Sequence, residues 1–267
     1  MDIKMIVCDL DGTLLRSDSS ISDYTLDVLE KCRAAGIKIA IATARPMYTA
    51  LRLFVETIKP DIAIYNGGAM AKIGDITVHH TSLETDLANG IFKALTERRD
   101  AGRISVTGIS AEDNKVYYTN RFVSEDFWVE DLRKSGFKVV ETDFSTGLIH
   151  SVCKISARID GPLDFFRENF PDVDIVCYRD DNLTRFAHRD GTKWKAIQAC
   201  ATFLGIKTTK IAAFGDDLID VEMLANCGVG VAVENAVAEA KAAANFICPS
   251  NDKDGVARWL EENCRCR

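Results

Sequence analysis

Excess positive charge is missing from this 267-residue sequence: 33 lysines and arginines face 40 aspartates and glutamates, for a net charge of -7 and a pI near 5.2. That balance argues against a general nucleic-acid or anionic-membrane surface. Long apolar runs are missing too. No stretch approaches the roughly 20 residues that span a bilayer, and the N-terminal run is cut by Asp9 and Asp11, so a secretory pattern is absent. The nine cysteines (Cys8, Cys32, Cys153, Cys177, Cys200, Cys227, Cys248, Cys264 and Cys266) contain no C-x-x-C pair. Their odd number and apolar surroundings fit buried free thiols and a reducing, cytoplasmic setting. Cys264-Arg265-Cys266 reads as a reduced tail rather than a redox or metal handle. There is no internal repeat or low-complexity linker, and nothing calls for an obligate protein partner. At 47% hydrophobic and 27% charged residues, the chain can build one full core and a second, smaller one.

The chemistry concentrates in Ile6-Val7-Cys8-Asp9-Leu10-Asp11-Gly12-Thr13-Leu14. Ile3 to Cys8 reads as a buried strand. Aspartates at i and i+2 on an extended chain point the same way, so Asp9 and Asp11 converge where desolvating two carboxylates is costly. A divalent cation, or an anionic substrate carried by one, resolves that cost.

Around this segment short apolar runs alternate with helical patterns. A helix is predicted from Ser22, as N-cap, to Ala35, with Gly36 ending it. Ile37–Ala42 and Asp61–Tyr65 read as strands, with a helix after Pro46 between them. The pattern resumes later with helix Thr192–Leu204, strand Lys210–Phe214, helix Asp217–Ala225, strand Gly228–Val233 and helix Ala236–Ala244. Strand Phe246–Cys248 and a helix from Asp254 complete it. Such alternation predicts an α/β, doubly wound, Rossmann-like parallel sheet. The middle differs. Ile104–Thr107, Val116–Thr119 and Val152–Ile155 alternate in polarity between amphipathic helices near Glu84–Arg99 and Ser124–Lys134, which predicts an antiparallel sheet with helices on one face. The expected organisation is a core of residues 1–82 and 188–267 with an inserted α+β cap of residues 83–187.

Four pieces fall in order at predicted strand ends or helix starts: Asp9-Leu10-Asp11-Gly12-Thr13, Ala42-Thr43-Ala44-Arg45, Lys193, and Gly215-Asp216-Asp217-Leu218-Ile219-Asp220. In a doubly wound sheet ligands bind beyond the carboxyl ends of the strands, so these pieces can meet. Together they resemble the haloacid dehalogenase (HAD) superfamily of phosphohydrolases, in its Cof-type group (subfamily IIB), over essentially the whole chain. Asn66-Gly67 after the third strand and the ending Asn251-Asp252-Lys253-Asp254-Gly255-Val256 extend the likeness.

The resemblance implies a nucleophilic Asp9 that forms an aspartyl-phosphate and an Asp11 that serves as general acid and then base. It implies Mg²⁺ on Asp9, the main-chain carbonyl of Asp11, and Asp216. Thr43 and Lys193 would bind the phosphoryl group, with Ala44, Arg45 and Asn66 also on the substrate side. Asp220, Asp217 and Gly12 would support from behind. The implied partner is a small phosphorylated metabolite, a sugar or polyol phosphate. Blander roles stand beside these: a helix cap for Thr43, a solvated first-turn position for Lys193, a helix N-terminus for Asp217, a surface ion pair for Arg45. His79-His80 falls in a predicted hairpin turning at Gly74-Asp75 and lacks a third zinc ligand.

Three positions depart from the family pattern: Ala44 stands for Gly, Trp194 for the Gly after the lysine, and Ile219 for an Asn that helps hold phosphate. An apolar side chain cannot replace a donor. Ile219 therefore keeps a second reading open, a non-catalytic phosphometabolite-binding or sensing protein. A phosphotransferase or mutase on the same site is a third. A receiver-like phosphorylation switch leaves the inserted middle domain without a use.

Overall fold

The computed structural model describes residues 1–50, 55–99, 101–107, 115–119, 138–141, 147, 151–178 and 182–264. In chain order its strands are β1 (Met5–Cys8), β2 (Lys38–Ala42), β3 (Ile62–Tyr65), β4 (Met70–Ile73) and β5 (Ile76–His80). Next come β6 (Ala101–Thr107), β7 (Lys115–Thr119), β8 (Lys138–Glu141), β9 (Lys154–Ile159), β10 (Val173–Cys177) and β11 (Leu183–His188). The last are β12 (Ile211–Gly215), β13 (Val229–Val233) and β14 (Phe246–Cys248). Helices of six residues or more are α1 (Asp23–Ala34), α2 (Thr85–Glu97), α3 (Asp164–Asn169), α4 (Lys193–Leu204), α5 (Val221–Asn226), α6 (Ala238–Ala243) and α7 (Gly255–Asn263).

The two ends of the chain form one eight-stranded sheet of order β14-β13-β12-β1-β2-β3-β4-β5. It is parallel through β3 and closes with the antiparallel hairpin β4–β5, the one expected around Gly74-Asp75. Alternate residues of each strand go to opposite faces. Ile6, Cys8, Ile39 and Phe214 pack with α1, α6 and α7, while Met5, Val7, Ala40 and Ala213 pack against α4. Each fully buried aliphatic side chain of this kind stabilises the fold by about 1.5–3 kcal/mol. The expected doubly wound architecture is present. The predicted helix Asp217–Ala225 is instead two pieces, a tight turn at Leu218–Asp220 followed by α5. The helix after Pro46 is described only for its turn Met47–Ala50.

The second sheet has the order β10-β11-β9-β6-β7-β8. It is antiparallel except at β7–β8, which pair in parallel, so it is mixed rather than antiparallel as expected. A parallel neighbour needs a crossover of a dozen or more residues, and residues 120–137 separate these strands. The helix expected at Ser124–Lys134 lies outside the described residues. Ile155, Ala157, Ile159 and Phe186 form the apolar face under α2 and α3. The opposite, polar face carries Lys154, Ser156 and Arg185, with Ser156 directly across from Arg185. This face meets the core loops: Lys154 Nζ donates to the Ala44 carbonyl at 2.8 Å, and Arg185 donates to the carbonyls of Gly67 and Gly191. Burial, reinforced by the charge of Arg185, lowers the Lys154 pKa to about 7.

One contact fixes the loop after β3 to the start of α4. At Gly68 φ is +112°, and an added Cβ would lie 2.1 Å from the Thr192 carbonyl carbon and 2.4 Å from the Lys193 nitrogen. Gly68→Ala should destabilise the protein by roughly 2–4 kcal/mol through backbone strain and steric overlap. Urea denaturation followed by circular dichroism measures this; an unchanged midpoint would show that the loop repacks freely.

Candidate active site

β1 and β12 are neighbours, but the chain leaves them in opposite directions across the sheet, which makes this the switch point where a crevice opens. Asp9 follows β1 and Asp216 follows β12, so residues 207 positions apart in sequence become adjacent. The Asp9 amide continues the ladder by donating to the Phe214 carbonyl at 3.0 Å. Beyond it the chain makes a wide turn, Leu14 N–H to the Asp9 carbonyl and Leu15 N–H to that of Leu10, a type of turn frequent at functional sites. Gly12 is required there twice over. Its φ is +75°, and a Cβ would fall 2.6 Å from an oxygen of Asp216.

Lys193 is the centre of the site. As the first residue of α4 behind the Thr192 cap, it is fully buried, with Nζ 2.5 Å from Asp9 Oδ1 and 2.6 Å from Asp220 Oδ1. Burial alone would favour the neutral amine, but the Asp220 and Asp9 charges outweigh it and raise its pKa. The ammonium is therefore charged. Burial also raises the pKa of Asp9, with Lys193 opposing and the Asp220, Asp216 and Asp11 carboxylates reinforcing. Asp216 rises to about 6 through burial and the charge of Asp220, although Thr13 donates to it at 2.7 Å.

The other candidates divide. Asp11, Gly12, Ala44, Asp217, Ile219 and Asp220 line, with Asp9 and Asp216, a cleft of about 210 Å³. Thr43 is fully buried, and its hydroxyl accepts from the Arg45 amide at 3.0 Å, a local turn rather than a helix cap. Arg45 is bound bidentately to Asp11, at 2.8 and 2.6 Å. Asp217 caps the turn Leu218–Asp220, its carboxylate accepting from the Leu218 amide at 2.7 Å. Asn66 is buried, with a left-handed backbone (φ 53°) and a side-chain oxygen that has no partner among the described residues. Ile219 reaches over Gly67 beside the Arg185 guanidinium.

Several contributors had no role assigned from the sequence, although Asn251 and Asp254 fall in the ending that extends the family likeness. Asn235 donates to the Gly12 carbonyl at 2.7 Å and accepts from the Asn251 amide, and Asn251 in turn donates to the Leu15 carbonyl. Asp254 accepts from Arg16, Ser22 and Thr25. The chain's closing motif is thus a clamp on the loop that follows Asp9. Arg185 and Tyr178 come from the second sheet, whose side-chain directions no spacing rule could assign.

Asp9, Asp216 and Asp220 each place one carboxylate oxygen within 4.8 Å of the others, all buried. Asp220 is committed elsewhere: one oxygen holds Lys193 and the other accepts the amides of Asp216 and Asp217. Asp9, bonded by Lys193, and Asp216, bonded by Thr13, bring further hard oxygen donors to this buried acidic cluster, a donor set suited to a divalent cation.

The family of haloacid dehalogenase-like hydrolases matches residues 6–260 of this sequence. The chain belongs to that family. A 5-amino-6-(5-phospho-D-ribitylamino)uracil phosphatase of Bacillus subtilis is 28% identical over 276 residues, covering 97% of this chain and 96% of that one. The phosphatase YwpJ of the same organism is 25% identical, with 97% and 99% covered. Among solved structures, the HAD subclass IIB sugar phosphatase BT4131 superposes with a TM-score of 0.83 at 22% identity, covering 97% of this chain and 98% of that one. This hydrolase thus has the family's Rossmann-like core and cap, and the family generally uses a metal ion.

In metal-free protein the Asp216 proton sets a pH dependence. Its pKa is raised in the folded state, so the stability it contributes is fully present below its ordinary 3.8 and is lost as the pH rises through about 6. At pH 7.5 without metal, Asp216→Asn should therefore melt about 2–4 °C above the wild type, the gap closing toward pH 5. Added Mg²⁺ should raise the melting temperature of the wild type but not of the variant. A Mg²⁺ response retained by the variant would remove Asp216 from the ligand set.

Proposed function

We propose that this hydrolase is a Mg²⁺-dependent phosphatase of a small phosphorylated metabolite, a sugar or polyol phosphate, working through an aspartyl-phosphate on Asp9. The observation that carries the reading is the buried Asp9 carboxylate, held by Lys193 at 2.5 Å at the floor of a cleft shared with Asp216. On this reading residues 83–187 are the cap over a core of residues 1–82 and 188–267.

Lys193 fixes one Asp9 oxygen, and the carboxylate attacks phosphorus as the bond to the leaving alkoxide breaks. Asp11 gives that alkoxide its proton. It then takes a proton from water, which attacks phosphorus, breaks the bond to Asp9 and releases inorganic phosphate. In the resting state both Asp11 oxygens accept from Arg45. A phosphate ester entering the cleft competes for that guanidinium, which frees Asp11 to carry a proton. Asp9, Asp216 and the Asp11 carbonyl would hold the Mg²⁺, which when bound offsets the charge of the phosphoryl oxygens. Asp220 sets Lys193 and the amides of Asp216 and Asp217; Thr43 shapes the loop that presents Ala44 and Arg45.

Asp9→Asn should lower phosphate release roughly 10³-fold or more while leaving the circular dichroism spectrum intact, and EDTA should do the same to the wild type. Wild-type rates in the variant would remove Asp9 as nucleophile. A purified wild type that binds sugar phosphates but releases no phosphate with Mg²⁺ would favour the sensing alternative that Ile219 left open. Ile219 lines the cleft, so Ile219→Asn should restore a donor and raise kcat by up to roughly 10²-fold. No gain would show that the cleft is organised without that contact.

A further inference from the structure

Tyr178 is the one described residue of the second sheet's region that lines the cleft holding Asp9 and Asp216. It closes the hairpin of β10 and β11, its amide donating to the Leu183 carbonyl at 2.9 Å. Its hydroxyl oxygen is shut off from water and has no hydrogen-bond partner among the described residues. A buried hydroxyl left unpaired keeps its full desolvation penalty, and buried polar atoms without partners are uncommon. Burial raises its pKa, so at neutral pH it is a phenol, able both to donate and to accept.

The roof that carries it is firmly placed. Arg185, fully buried on β11, bonds Asp174 of β10 at 2.5 Å and the core carbonyl of Gly191, two residues before Lys193. This guanidinium fixes the height of the β10–β11 hairpin over the catalytic lysine. The charges of Arg185 and Lys193 oppose the rise in the Tyr178 pKa, and those of Asp217 and Asp174 reinforce it.

Resting on the phosphatase reading above, we infer that Tyr178, whose side chain lines the cleft with its hydroxyl closed off in the resting state, is a specificity-determining residue that turns this hydroxyl to bond a neutral hydroxyl group of the leaving alcohol. Three observations favour a neutral hydroxyl. The orphaned wall group is itself an alcohol, and an alcohol ligand can both accept from it and donate to it. The side chains that line the cleft include five carboxylates and, among the described residues, no lysine or arginine. A second anionic group on the substrate would face those carboxylates, because Arg45 is engaged by Asp11 and then by the phosphoryl group. The ligand class is a phosphomonoester of a polyhydroxylated, otherwise uncharged carbon skeleton.

The experiment compares Tyr178→Phe with the wild type on a panel of neutral sugar and polyol phosphates and on p-nitrophenyl phosphate, whose leaving group carries no second hydroxyl. The expected result is a fall in kcat/KM on the best polyol phosphate at least 10-fold larger than on p-nitrophenyl phosphate, carried mainly by KM. In the Asp9→Asn background, calorimetric affinity for that polyol phosphate should fall by a similar factor when Tyr178→Phe is added. Equal losses on both substrates, or none on either, would overturn the assignment. So would a wild-type preference for phosphorylated sugar acids over neutral polyol phosphates. Hydrolysis of p-nitrophenyl phosphate that Asp9→Asn abolishes would keep the phosphatase reading standing even if the role of Tyr178 falls.

Discussion

An ammonium group without access to water holds the active-site region together. Lys193 lies 2.5 Å from Asp9 and 2.6 Å from Asp220. Removing Lys193 would leave the Asp9 and Asp220 carboxylates buried without a counter-charge, a loss of about 3–5 kcal/mol. Either carboxylate alone can still balance the ammonium. Asp220 does more than balance charge, because its second oxygen accepts the amides of Asp216 and Asp217. The carboxylate that fixes the lysine also fixes the backbone that presents Asp216. On the proposed reading, the site for metal and phosphate is thus built before either arrives, as electrostatic preorganisation requires.

Around this centre the fold supplies loops that are weakly structured by themselves and strongly constrained by one another. The loop after Asp9 is fixed through Asn235, Asn251 and Asp254, and Gly12 leaves room for Asp216. The loop after β3 sits against the start of α4 so closely that Gly68 has no space for a side chain. Lys154 and Arg185 reach down from the second sheet to main-chain carbonyls of the same loops. The two cations tie the second sheet to these loops through main-chain carbonyls and leave the carboxylates of the cleft untouched. Ile219, which the motif pattern marks as a departure, has its tip against Gly67 and Arg185.

Much of this was legible in residue order. The strands around Asp9 and Asp216 were recognisable because a strand covered on both faces is a continuous apolar run, and helix caps such as Ser22 and Thr192 are local signals. The Asp9-x-Asp11-Gly12-Thr13 segment, Lys193 and Asp216 are displayed at strand ends and helix starts, where a spacing argument has physical content. The second sheet was harder. Its parallel β7–β8 pair depends on a crossover rather than on polarity pattern, and β10 and α3 carry short signals that read equally well as loop.

By itself, then, the chain's order of residues determined the α/β core and the two carboxylate-bearing turns, because those depend on periodicity and on backbone geometry within a few positions; Lys193 stood out only through the family resemblance. Tertiary structure alone decided that Asp11 rests on Arg45, that Asp220 is bound to Lys193 and to backbone amides, and that Tyr178 lines the cleft. Each of those contacts links residues that no local spacing relates, across a distance set by how sheets and loops pack. Which oxygen carries a partner and which is left for a ligand is a property of that packing.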